Sequence, residues 1–135
     1  MDPNFFRAYI WLGRALEEKG RYVEAIAQFQ KARQLDDTPI VLAVIGHAYA
    51  ASGRKSDAQR VLDELKELSK RIYVDSYFVA AIHASLGNKD EAFKELETAR
   101  EERSTWLGRL KVEPNFDSLR SDPRFTNLVQ RIGLP

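Results

Sequence analysis

The chain has 135 residues, 44% hydrophobic and 30% charged, with 21 Lys and Arg against 20 Asp and Glu. That balance fits one soluble globular domain with enough apolar mass for a core, and it excludes a disordered chain. A net charge of +1 gives no global field to draw in nucleic acid or an anionic membrane. Cys is absent, so disulfides and thiolate metal sites are ruled out, which fits a cytoplasmic location. Residues 1–11 lack a basic start followed by an apolar core, so they do not read as a signal peptide. No apolar run reaches the roughly 18 residues that a membrane span requires, so no membrane insertion is expected.

The first predicted elements run from about Phe5 to Glu18 and from about Tyr22 to Leu35, separated by Lys19-Gly20-Arg21. Tyr9, Leu12, Gly13 and Leu16 make a stripe at three- and four-residue steps, and Ala25, Ile26, Phe29 and Ala32 make its partner. A second pair follows over about Ile40–Ala51 and Lys55–Ser69, and a third over about Val74–Leu86 and Lys89–Arg103. The three pairs repeat. Gly20, Gly53 and Gly87 stand 33 and 34 residues apart, each followed five residues on by Ala25, Ala58 or Ala92. The same offset aligns Leu12, Ile45 and Val79, then Gly13, Gly46 and Ala80, then Leu16, Tyr49 and His83. Phe29, Leu62 and Leu96 form another column, and Ala32, Leu65 and Ala99 one more. The Gly column predicts helix stops, and the columns of small residues predict close approach of paired helices.

After Arg103 the period breaks. Ser104-Thr105-Trp106-Leu107 opens a short helical piece ending near Lys111, and Glu113-Pro114-Asn115 reads as a turn. Phe116 to Leu119 is one helical turn, and Asp122-Pro123 starts a last helix ending at Gly133. Trp106, Leu107, Leu110, Phe116, Leu119, Phe125 and Leu128 are expected to cover the apolar end of a repeat stack.

These columns resemble the tetratricopeptide repeat family, whose unit is about 34 residues of helix–turn–helix. The first unit carries the likeness as Tyr9, Leu12, Gly13, Leu16, Gly20, Tyr22, Ala25, Phe29 and Ala32. The third departs in its first helix, with Ser76, Val79, Ala80 and His83, and returns to pattern at Ala92, Leu96 and Ala99. The resemblance implies an all-α, right-handed alpha-alpha superhelix of helical hairpins. Three repeats would span residues 5–104 (about 5–38, 39–72 and 73–104), with capping helices over 105–135. Pro3 stands where the family places the proline that closes a preceding repeat, so Asp2-Pro3-Asn4 is expected to be a junction within a longer array. The tail, through Lys111-Val112-Glu113-Pro114, Asp122-Pro123-Arg124-Phe125 and the ending Gly133-Leu134-Pro135, is similar to the C-terminal end of arrays in large bacterial proteins. There the array follows a winged-helix, kinase or nucleotide cyclase domain, which implies a regulatory or sensory setting.

First helices of such repeats line the concave side. The residues off the packing stripe are Arg7, Ile10, Arg14 and Glu17, then Ile40, Ala43, His47 and Ala50, then Val74, Tyr77, Ala81 and Ala84. This face is expected to take an extended peptide, a helix or another domain of the parent chain, with Tyr77 as an aromatic anchor. The Lys and Asn that grip a C-terminal carboxylate in some family members are missing from it. Arg100, Arg103, Arg109 and Lys111 interleave with Glu101, Glu102 and Glu113, the pattern of a solvated surface rather than a nucleic-acid site. His47 and His83 are 36 residues apart with no HExxH spacing, and no Walker or GxGxxG loop is present. Glu17-Glu18 and Glu101-Glu102 are sequence neighbours that do not face one another on a helix. No enzyme activity, cofactor or metal is expected. The expected function is a protein-interaction scaffold; the alternative is a structural spacer that self-associates as a homodimer, with Phe5, Phe6 and Ile10 as sticky residues.

Overall fold

Seven α-helices and two 3-10 turns follow one another without a strand in the computed structural model, which describes residues 3–133. Asp2, Leu134 and Pro135, which the expected junction and chain ending drew on, lie outside the described residues. The helices are α1 (Pro3–Glu18), α2 (Tyr22–Leu35), α3 (Pro39–Ala51), α4 (Lys55–Leu68), α5 (Ser76–Leu86), α6 (Lys89–Glu101) and α7 (Pro123–Ile132). They pair as the antiparallel hairpins α1–α2, α3–α4 and α5–α6. The chain divides into two compact units, one ending at Val74 and one starting at Asp75.

Each hairpin turn follows from its glycine. Gly20, Gly53 and Gly87 hold φ of +76°, +83° and +81°. That left-handed backbone lets the next N–H reach back five residues: Arg21 to the Leu16 carbonyl at 2.9 Å, Arg54 to Tyr49 at 2.8 Å and Asn88 to His83 at 2.9 Å. Orphan carbonyls at the ends of α1, α3 and α5 are thereby satisfied.

In the first unit, Ala25, Ile26, Phe29 and Ala32 of α2 form one buried cluster with Val41, Ile45 and Ala48 of α3. Phe6, Tyr9, Ile10 and Leu16 of α1 pack against it. Gly13 is the point of closest approach that its column predicts. A β-carbon there would lie 2.7 Å from Phe29 Cδ1 and 2.9 Å from Phe29 Cζ. Leu12 departs from the packing column: it is 49% exposed, because the side of α1 that it shares with Phe5 and Trp11 has no described element over it.

In the second unit the tail residues expected to cover the apolar end of the stack do pack on the third hairpin. The tail shares one core with the third hairpin. Leu107, Leu110, Phe116, Leu119, Phe125 and Leu128 are buried together with Tyr77, Ala80, Ala81 and Ala84 of α5 and Ala92, Phe93, Leu96 and Ala99 of α6. Helix α5 starts at Ser76 rather than Val74, because Asp75 caps it by accepting a 3.0 Å hydrogen bond from the Tyr77 N–H. The other Asp75 oxygen accepts from Ser104 Oγ at 2.8 Å, and Ser104 caps the 3-10 turn Thr105–Arg109. Helix α6 stops at Glu101, two residues short of the expected end, and Arg103 takes a left-handed φ of 57°.

Candidate functional site

The expected groove residues of the first unit sit on α1 and α3, the first helices of its two hairpins. Arg7 and Ile40 are exposed, Ile10, Arg14 and Glu17 are half-buried, and Ala43 and His47 are buried. Two of these residues meet. His47 Nδ1 lies 3.3 Å from Glu17 Oε2, with the side chains 11% and 16% exposed. The contact joins α1 to α3 across 30 residues. Near the start of α1, Phe6, Arg7, Ile10, Trp11 and Arg14 line a shallow hollow of about 230 Å³.

The second unit corrects the expected anchor. Tyr77 is 3% exposed and packs edge-on against Phe116, with ring centres 5.1 Å apart. It also stacks beside Trp106 at 6.4 Å. Its ring serves the core and is not presented to a partner. Periodicity put Tyr77 off the stripe of α5, and the tail folds back and covers that side. Ala81 and Ala84 are buried as well, and Val74 is half-buried ahead of the helix. His83, assigned to packing, is half-buried; burial holds its pKa below the ordinary 6.5 and nearby Glu91 opposes the shift.

A groove of about 480 Å³ between α6 and α7 was not legible in the sequence. Four of its five charged lining residues pair with one another across it. The Arg124 guanidinium lies 4.5 Å from the Phe93 ring centre and pairs with Asp90 Oδ1 at 2.7 Å. Arg131 pairs with Glu97. Burial pushes the Glu97 carboxyl up, but hydrogen bonds from Arg131 and Arg100 outweigh it and hold it below its usual range. Hydrogen bonds from Arg124 lower Asp122 to about 2. These pairs span 34 residues and pin α7 to α6, and their partners are already taken. Of the interleaved charges around the end of α6, Arg100 pairs with Glu97 at 3.2 Å and Arg109 approaches Glu113 at 3.9 Å.

Among the described residues no group of three or more His, Asp or Glu is placed to hold a metal ion. No described helix is long and apolar enough to cross a membrane.

The Gly13–Phe29 contact, the Gly20 turn and the Ala25/Ala32 packing together define a repeat unit. Residues 6–39 match the tetratricopeptide repeat. The match covers α1 from Phe6 on, all of α2 and the first residue of α3, and α3–α4 and α5–α6 continue the same hairpin architecture. No curated protein and no solved structure matches the chain.

Proposed function

We propose that the chain is a non-catalytic protein-interaction scaffold of tetratricopeptide type, working as one module of a larger bacterial regulatory or sensory protein in the cytoplasm. The Glu17–His47 contact carries the reading, because it sets the first-helix faces of two successive hairpins edge to edge. Beside that contact α3 offers the exposed Ile40, and α1 offers Arg7, Ile10 and Arg14. The matching partner is an extended or helical segment of a protein, or of the parent chain, with apolar residues flanked by carboxylates. The absence of Lys and Asn from this face argues against a grip on a free C-terminal carboxylate.

The test is capture of a partner by the chain, followed by hydrogen exchange of the complex. Protection along the exposed sides of α1 and α3, with capture lost in Arg7→Glu and Ile40→Asp, is the expected result. Protection confined to α4, α6 or α7 would reject this face. A second reading, a spacer that self-associates, draws on another surface: the exposed side of α1 that carries Phe5, Trp11 and Leu12.

A further inference from the structure

At the start of α5 two carboxyls compete for one hydrogen. Ser76, the first residue of α5, is 7% exposed. Its hydroxyl donates to Glu102 Oε1 at 3.3 Å and also hydrogen-bonds the Glu95 carboxyl. Glu95 and Glu102 stand two helical turns apart, so they share one side of α6 and its end. A serine hydroxyl carries a single hydrogen and two lone pairs, and an ionised carboxylate can only accept. With both carboxyls ionised, one of them goes without the Ser76 hydrogen.

The surrounding charges do not settle the contest. Burial favours the neutral form of the half-buried Glu95 and holds it above its ordinary 4.5. The charges of Glu91 and Glu102 act in the same direction, while Ser76 and Lys94 oppose. Helix α5 carries no Asp, Glu, Lys or Arg, and its His83 lies at the far end, where it feels Glu91. The two oxygens of Asp75 are committed to the Tyr77 N–H and the Ser104 hydroxyl.

We propose that Glu95, Ser76 and Glu102 form a proton-operated catch on the first turn of α5. A proton taken up from solvent by Glu95 makes it a donor. Glu95 then donates to Ser76 Oγ, and Ser76 donates its own hydrogen to Glu102. All three groups are satisfied in one chain that runs from α6 to α5 and back. When Glu95 gives the proton up, the contest for the serine hydrogen returns. The first turn of α5 is therefore held most firmly at acid pH and loosens as pH rises through the titration of Glu95. The catch sits beside the Asp75 cap, where the second unit begins, and is independent of what the groove of the first unit binds.

Hydrogen exchange at the Phe78 amide, which donates to the Asp75 carbonyl at 3.2 Å within this turn, reads the catch. Its protection, taken relative to the unfolded chain at each pH, is expected to fall about three- to tenfold between about pH 4 and pH 7, the effect of one net hydrogen bond. Glu95→Gln keeps a neutral donor at that position and should hold the acid-pH protection throughout. Ser76→Ala removes the middle of the chain, keeps a good helix former, and should give low protection that varies little with pH. Circular dichroism checks that both variants fold. His83 titrates with the opposite sign and so does not mimic the fall. Wild-type protection that stays level or rises over this interval overturns the proposal. A Ser76→Ala or Glu95→Gln protein that keeps the wild-type pH dependence overturns it as well.

Discussion

Replacing Gly13 with alanine sets two effects of opposite sign against each other. Helix propensity favours the change, since Ala stabilises a helix interior by roughly 0.5–1 kcal/mol over Gly. Packing opposes it. The new methyl group would lie within 2.7 Å of Phe29 Cδ1, and closer still to Cε1. Phe29 is fully buried between α1, α2 and α3, so its ring has no free volume to swing into. Overpacking of this kind typically costs about 1–3 kcal/mol. The net expectation is a loss of about 0–2.5 kcal/mol, by difference of those two ranges. Urea unfolding followed by circular dichroism measures it. The double variant Gly13→Ala/Phe29→Leu makes the argument sharper, because a smaller side chain at 29 leaves room for the methyl. In that background Gly13→Ala should become neutral or stabilising, a coupling of about 1–2 kcal/mol. Gly108→Ala, where an added β-carbon meets nothing within 4 Å, is the control and should change stability by less than about 0.5 kcal/mol. If Gly13→Ala alone stabilised the protein as much as propensity predicts, the close crossing of α1 and α2 would be refuted.

Phe116→Ala removes a fully buried ring from the core shared by α5, α6 and the tail, and should destabilise by about 3–5 kcal/mol in the same unfolding assay. Arg103→Gly should stabilise by about 1 kcal/mol, because Arg103 holds a left-handed φ of 57° that glycine adopts without strain; a loss of stability would contradict that backbone. His83 is held below its ordinary pKa of 6.5 by burial, so the unfolded chain takes up a proton first and stability should fall as pH drops through 6.5. His83→Gln should flatten that part of the melting temperature–pH profile. Burial holds Glu95 above 4.5, with a hydrogen bond from Ser76 opposing, so the folded state is favoured at acid pH and this advantage is lost as pH rises through the raised value. Glu95→Gln should therefore gain stability over the wild type between about pH 4 and pH 7, and an unchanged difference across that interval would count against the burial of this carboxyl.

The repeat was legible because its cause is local and periodic. A left-handed turn demands glycine, and a close crossing demands Gly13 opposite Phe29, so both leave a mark at a fixed spacing. The side of α1 and α3 that carries Glu17 and His47 was legible for the same reason, although their meeting each other was not. Failures came where distant segments decide. Tyr77 looked like a groove residue until Phe116 and Trp106, about 30 to 40 residues later, closed over it, and no periodic signal records such a return. Leu12 erred the other way: its column says what it could pack against, and α1 has no described helix there. The α6–α7 ion pairs were invisible too, since Asp90 with Arg124 and Glu97 with Arg131 pair over 34 residues without a repeating pattern.

The placement of the two tryptophans gives each unit its own optical reporter. Trp11 stands open to solvent on α1 and Trp106 lies among Tyr77, Phe78 and the tail core. The first should emit at long wavelength and yield readily to a soluble quencher, the second at shorter wavelength and with resistance. Melting of either half of the chain can then be followed from its own indole, without a label and without altering a residue.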